Sequence, residues 1–172
     1  KLVPEKVPHL KPVFEENGTI TAANASNLND GAAALVLASA NAVTQHGLAP
    51  LARIVAYADA ALAPEWYSIA PTSAINKALQ LANLTVANID LFEINEAYAA
   101  VALANQQLLG IPTHKLNIYG GAVAMGHPLG ASGARILCTL TWALRQEGKR
   151  YGVAAICNGG GGASAIIIEN LQ

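Results

Sequence analysis

Gly120-Gly-Ala-Val-Ala-Met-Gly-His127-Pro-Leu-Gly-Ala-Ser-Gly133 sets one histidine between a glycine and a proline, directly ahead of a segment that opens on small residues. Pro128 and the flanking glycines restrict the backbone to a turn, so the imidazole of His127 is aimed by that turn rather than by a long helix face. A helix beginning just after it leaves its first N–H groups free and presents the positive end of its dipole. Such a corner suits negative charge developing at a carbonyl oxygen.

Working outward, the segment 131–147 carries helical spacing and stops at Gly148. Upstream, Leu116 to Tyr119 reads as a short strand, and downstream a second glycine stretch, Cys157-Asn-Gly-Gly-Gly-Gly162, lies between the apolar runs Tyr151 to Cys157 and Ser164 to Glu169. Those two runs predict an antiparallel strand pair. A third stretch, Asn95-Glu-Ala-Tyr98, follows the apolar strand Leu91 to Ile94 and precedes an Ala-rich helix over 97–109. Asn95 stands where a helix N-cap is expected. Cys138, among Ile136, Leu137 and Leu140, is expected in the core. Either glycine stretch alone reads equally well as an ordinary turn; with Asn95–Tyr98 beside them, three chemistry-bearing turns follow strands.

The rest of the chain fits the same alternation. Residues 1–29 are rich in Pro, Asn and charge and read as loop. Residues 32–39, Ala-Ala-Ala-Leu-Val-Leu-Ala-Ser, predict a strand buried on both faces. A short helix over about 40–46 ends at Gly47, and Leu51 to Ala58 reads as a strand. Pro71 suits the first turn of a helix that carries Ile75, Ala78, Leu79 and Ala82 on one face. Strand–helix alternation of this kind gives an α/β layered architecture.

Composition narrows the function classes. The net charge is −1 and only 12% of the 172 residues are charged, so there is no basic face for nucleic acid. No apolar run approaches the roughly 18 residues a membrane span requires. The two cysteines have neither metal-type nor disulfide-scaffold spacing. Neither a dinucleotide G-x-G-x-x-G nor a P-loop is present. The chain opens on Lys1 rather than Met, as expected of a piece of a longer polypeptide.

Asn95-Glu-Ala-Tyr98, Gly126-His-Pro128 and Cys157-Asn-Gly159, preceded by Thr21-Ala-Ala-Asn-Ala-Ser26 and Leu28-Asn-Asp-Gly31, together resemble the C-terminal part of a thiolase of the acetyl-CoA C-acetyltransferase type. The resemblance runs from about Leu10 to the end. It implies an α-β-α-β-α layered fold, of which this chain holds the C-terminal half and the end of the N-terminal half. Residues 1–28 correspond to the end of the loop domain, 29–50 to the last strand and helix of the N-terminal domain, and 51–172 to the C-terminal domain. The missing N-terminal half is the expected partner, and it carries the family's nucleophilic cysteine and the strands expected beside 32–39; within this chain alone that run is expected to pair poorly with the C-terminal sheet and to expose both apolar faces. Related ketoacyl synthases usually supply a second His, or a His and Asn, at the later positions; Cys157-Asn-Gly favours thiolase.

The resemblance assigns His127 to activation of the nucleophilic thiol and to an enolate oxyanion hole. Asn95 would hold a water completing that hole. Cys157 would be the acid/base at the substrate α-carbon, with a pKa expected to fall beside His127 or free N–H groups. Gly159 would donate its N–H to a second oxyanion hole, and Glu96 would steady the loop. Val13, Phe14, Ala22, Ser26, Ala97 and Tyr98 would line the coenzyme A channel, and Tyr67 the acyl pocket. Tyr98 stands where the family more often has Phe. Ala22, Ala23, Ala25 and Val123 would offer carbonyls to potassium. The implied substrates are acetyl-CoA and acetoacetyl-CoA, with no covalently bound cofactor. The implied assembly is a homodimer or homotetramer, in cytoplasm or mitochondrion. The rival class is a non-catalytic CoA-binding or scaffold protein.

Overall fold

The fold is described from a computed structural model covering residues 3–172; Lys1 and Leu2, at the start of the expected loop-domain segment, lie outside the described residues. Its centre is a four-stranded sheet of order β1-β4-β3-β2, formed by β1 (Ala52–Ala61), β2 (Leu91–Ile94), β3 (Tyr151–Cys157) and β4 (Gly162–Asn170). β3 and β4 pair antiparallel across the glycine loop as predicted, β1 is antiparallel to β4, and β2 runs parallel to β3. The parallel pair brings the C-terminal ends of β2 and β3 side by side, at the edge where Asn95 and Cys157 stand.

Helices cover both faces. On one lie α2 (Ala70–Ala82) and α3 (Ala99–Leu109), burying Ile75, Ala78 and Val101 against Phe92, Val153 and Ile167. On the other lies α5 (Ser132–Gln146), whose Ile136, Leu140 and Leu144 pack on Leu91, Ala154 and Ile168. This accounts for the near-continuous apolar reading of β2 and β3, which are covered on both sides. Pro71 stands in the first turn of α2, and Asn83, with φ 53°, ends it in the left-handed conformation. Buried Asn105 ties α2 to α3 and to the turn before them. Its Oδ1 accepts from Thr72 N at 2.8 Å, and its Nδ2 donates to Ser68 O at 2.8 Å. That second bond fixes the segment Pro64–Ile69, which carries Tyr67.

Several sequence expectations require correction. Residues 32–39 form no strand: the run pairs with none of the described strands, and Val36 and Leu37 are 95% and 76% exposed, as expected of this run apart from its partner strands. An apolar run becomes a strand only where its N–H and C=O groups find a ladder, and no neighbouring strand is available to it here. The short helix after it, α1 (Ala40–Gln45), forms as expected, capped by the Ser39 hydroxyl. Leu116 to Tyr119 is not a strand either. Only Leu116 bridges to Phe92, and Asn117 turns left-handed at φ 46°. The Asn117 amide takes over the edge of β2, accepting from Ile94 N and donating to Ile94 O, both at 2.9 Å. One side chain thus replaces a strand. α3 begins at Ala99, two residues late, with Tyr98 as its N-cap residue, so Asn95 does not cap it. A four-residue helix, α4 (Ala122–Met125), interrupts the first glycine stretch. Cys138 lies at the half-exposed side of α5 with its Sγ 3.8 Å from Ala34 O, not in the core.

Candidate active site

The site is built where β2 and β3 end. Asn95 N donates to Ala155 O at 2.9 Å, which extends the parallel ladder one residue past β2 and buries Asn95 to 1% exposure. Its side chain therefore points away from α3. The Asn95 Nδ2 is 3.3 Å from His127 Nε2. On the other side of the ring, His127 Nδ1 is 2.6 Å from Ser132 Oγ, which donates to Pro128 O at 3.1 Å. His127 is thus held at both nitrogens. Burial pushes its pKa below the usual value, and the nearby Arg135 charge pushes the same way. Both effects favour the neutral ring.

The turn that aims His127 is clamped from the N-terminal segment. His127 N donates to Asn27 O at 2.9 Å. Gly126 has φ 100°, and a Cβ there would fall 2.3 Å from Asn29 Oδ1, so this corner requires glycine. The loop after Asn95 is clamped as well. Ser26 donates to Ala97 O through both N (3.1 Å) and Oγ (2.8 Å), Ala99 N donates to Asn24 O at 2.8 Å, and Ala25 bridges to Tyr98. The Phe14 ring meets Tyr98 edge-on with centroids 5.6 Å apart. Val13 is exposed beside it, its N bonded to Ile20 O at 2.8 Å. Ala22 and Ala23 lie in the turn held by Thr21 and Asn24.

Glu96 steadies the loops, as its position implied. Its Oε2 accepts from Val123 N at 3.0 Å and its Oε1 from Asn117 Nδ2 at 3.1 Å. Gly121 sits flat over the carboxylate, where a Cβ would overlap it at 2.2 Å.

Cys157 ends β3, half-buried, in the same core as Ala97 and Tyr98. Here the sequence expectation fails: burial raises the thiol pKa, and a backbone hydrogen bond offsets this only in part. The phenol of Tyr67 is pushed up by burial and then by its neighbours Tyr98 and Cys157, so these three groups adjoin one another. Beyond Cys157, Asn158 Oδ1 accepts from Gly160 N and Gly162 N at 3.1 and 3.2 Å. Gly159 is exposed, and its N–H takes part in none of the bonds that close this loop.

Three residues of the site were not read from the sequence: Ser132, Arg135 and Glu93. Ser132 and Arg135 are three apart on α5 and share the face turned to β2. Arg135 Nη2 donates to Asn95 Oδ1 at 3.3 Å, and its Nη1 is 3.8 Å from Glu93 Oε2. Glu93, 2% exposed, has its pKa raised to about 8 by burial, against the pull of Arg135. A lone Glu in an apolar strand was the signal available for it. Among the described residues, no group of three or more His, Cys, Asp or Glu side chains is gathered to hold a metal ion. No described helix is long and apolar enough to cross a membrane.

Comparison with known proteins shows the family. The family model "Thiolase, C-terminal domain" matches residues 48–170, and "Thiolase, N-terminal domain" matches residues 1–41. Acetyl-CoA acetyltransferase IA of Candida tropicalis is 57% identical over 169 residues, 98% of this chain and 42% of the relative. The mitochondrial acetyl-CoA acetyltransferase of Macaca fascicularis is 57% identical over 167 residues, 96% of this chain and 39% of the relative. The crystal structure of the Bacillus anthracis acetyl-CoA acetyltransferase superposes with a TM-score of 0.95 at 45% identity, covering 97% of this chain and 42% of that one. The chain therefore spans about two fifths of the length of the relatives it matches.

Proposed function

The chain belongs to the thiolase family, and on that premise we propose that it supplies the C-terminal part of the active site of an acetyl-CoA C-acetyltransferase. The reaction is the reversible Claisen condensation of two acetyl-CoA to acetoacetyl-CoA and CoA. The observation that carries this reading is the meeting of Asn95 and His127, with the Cys157 thiol and the free Gly159 N–H at the neighbouring strand end.

The chemistry follows from the state of each group. The neutral His127 ring has a lone pair on one nitrogen, so it accepts the proton of a nucleophilic thiol supplied by the N-terminal portion of a thiolase. The S–H bond breaks and the N–H bond forms; the thiolate bonds to the acetyl carbon, the C–S bond to CoA breaks, and Cys157 gives its proton to the departing CoA thiolate, which leaves Cys157 as the thiolate. A second acetyl-CoA then binds, and its thioester oxygen lies at His127 and a water held by Asn95. Cys157, as thiolate, takes the α-proton, and the enolate oxygen is stabilised by these donors. The enolate carbon attacks the acetyl carbon. The tetrahedral oxyanion rests on the Gly159 N–H, the C–S bond to the nucleophile breaks to release acetoacetyl-CoA, and the freed thiolate takes its proton back from His127. The raised thiol pKa of Cys157 favours its role as an exchangeable proton carrier over that of a standing thiolate.

Val13, Phe14, Ala22, Ser26, Ala97 and Tyr98 form the coenzyme A side of this reading, and Tyr67 narrows the acyl end. The carbonyls of Ala22, Ala23, Ala25 and Val123 accept none of the loop-closing backbone bonds, so they fit an oxygen-liganded cation such as potassium in kind. Such an ion would brace the two loops and would not react. The assembled enzyme is read as a homodimer or homotetramer of the cytoplasm or mitochondrion.

Reconstitution tests the reading. The chain is mixed or co-expressed with the N-terminal portion of a similar thiolase, and CoA-dependent loss of acetoacetyl-CoA is measured. Turnover is expected only with both pieces. His127→Ala and Cys157→Ser should each lower kcat on the order of a hundredfold or more. A complex that assembles and binds CoA without turnover would instead establish the scaffold reading.

A further inference from the structure

Beneath the contact of Asn95 with His127 lies a guanidinium that the mechanism above does not use. Arg135 Nη2 donates to Asn95 Oδ1 at 3.3 Å, and Nη1 faces the Glu93 carboxyl at 3.8 Å. Its Nε and Nη1 are buried without a hydrogen-bond partner among the described residues. Burying idle donors of a charged group is costly, and a Leu or Met would fill the same space without them. Simple packing therefore does not explain an arginine here.

We propose that Arg135 is a positioning residue: through Asn95 it fixes which nitrogen of His127 carries the proton. The inference rests on the thiolase reading, since it concerns the base of that reaction. Arginine has donors only, so the Asn95 oxygen must face it and the Asn95 NH2 must face His127 Nε2. A nitrogen that receives a donor presents its lone pair. The proton of the neutral ring therefore sits on Nδ1, where Ser132 Oγ accepts it and passes its own hydrogen to Pro128 O. The chain Arg135, Asn95, His127, Ser132, Pro128 donates in one direction throughout. It leaves Nε2 as the basic nitrogen, whose lone pair passes from the Asn95 NH2 to the thiol proton when the thiol is deprotonated.

Removal of Arg135 frees the Asn95 amide to turn its oxygen toward Nε2, which favours a proton there. The positive charge of Arg135 also disfavours the imidazolium, in the same sense as burial of the ring. Glu93 does little to cancel that charge, because it keeps its proton up to about pH 8. On the elements that adjoin the ring, the Glu96 carboxylate is engaged by Val123 and Asn117, and Cys157 stands at the end of β3.

The measurement is long-range proton–nitrogen NMR of the 172-residue chain labelled with 15N-histidine, with His127 assigned among the four histidines by loss of its signals in His127→Gln. The wild-type ring is expected as the Nδ1–H tautomer at neutral pH. Arg135→Gln should admit the Nε2–H form and raise the His127 pKa. Arg135→Lys, still a donor only, should keep Nδ1–H. A wild-type Nε2–H tautomer, or a folded Arg135→Gln with unchanged tautomer and pKa, overturns the proposal. Should Arg135→Gln not fold, Arg135→Lys and Asn95→Asp decide: the acceptor-only Asp must move the proton to Nε2, and failure of either expectation overturns it. The readout needs no turnover. A chain that passes it but stays inactive on reconstitution refutes the thiolase reading alone, and an active complex with a wild-type Nε2–H refutes this inference alone.

Discussion

Residues 51–172 and residues 3–50 are built from similar material and fold to opposite degrees. Every buried side chain of the described structure lies from Ala56 onward, and none lies before it. Yet Ala32–Ser39 is as apolar as β3, whose residues from Gly152 to Ala155 are all buried. The difference is what surrounds each run. β3 has β2 on one side, β4 on the other and helices on both faces. The 32–39 run has no ladder among the described residues; the flank of α5 reaches it at Cys138, and the turn Pro128–Ala131 lines a hollow with Ala32 and Ala33. Apolar side chains supply the tendency to bury; a strand forms where the backbone groups are also satisfied. The first region is consequently a strap across the second, held at Asn24, Ser26 and Asn27, where it clamps the loops carrying Asn95 and His127.

The largest expected effect is in hydrogen exchange of the isolated chain. Amides of β3 and β4 should be protected at least about a thousandfold more than those of 32–39, because the former open only with the whole core. Strong protection of 32–39 in a lone monomer would break the comparison. It would mean that this run finds a ladder within the chain.

A second effect separates the regions by pH. All carboxyls of the first fifty residues are exposed, whereas Glu93 is buried with its pKa raised to about 8 from 4.5. Between those values the folded chain keeps a proton that the unfolded chain releases. Stability therefore falls as pH rises through this window, by at most about 1.4 kcal/mol per pH unit. Below it both states are protonated and the contribution is fully present. His127, with its lowered pKa, acts in the opposite sense on acidification and is common to both proteins compared. Thermal unfolding of Glu93→Gln should lose less stability than wild type between pH 5 and 8. Parallel profiles would show that Glu93 is ionised in the folded state.

The two regions also differ in how far the sequence foretold them. In 51–172 the strands β1 to β4 and the helices α2, α3 and α5 are legible because each carries the periodicity of its cover, with Pro71 and Gly148 as punctuation. Leu116 to Tyr119 was misread because Asn117 serves the β2 edge with a side-chain amide, which no hydrophobic pattern encodes. At the candidate site, His127, Asn95 and Cys157 stand out in the sequence because they sit in glycine-rich or strand-end turns that resemble the thiolase loops. Arg135 and Ser132 were missed because a helix face that meets a site looks, in sequence, like one that meets solvent. The expected fall in the Cys157 pKa failed for a related reason: sequence shows the glycine loop but not the burial at the strand end.

The smallest expected effect tests whether the strap opens independently. Ser26→Ala removes the Oγ bond to Ala97 O at 2.8 Å and keeps the N–H bond to the same oxygen at 3.1 Å. One neutral hydrogen bond is worth about 1 kcal/mol. If residues 3–50 are a strap, that loss falls on local opening alone. The amides of Ser26, Ala99 and His127, which donate across the joint, should exchange roughly five times faster, as about 1 kcal/mol implies. The unfolding midpoint and the protection of β3 should stay unchanged, since the core does not use this bond. A matching drop in the midpoint would instead show one cooperative unit, in which the strap is as much a part of the fold as the sheet it crosses.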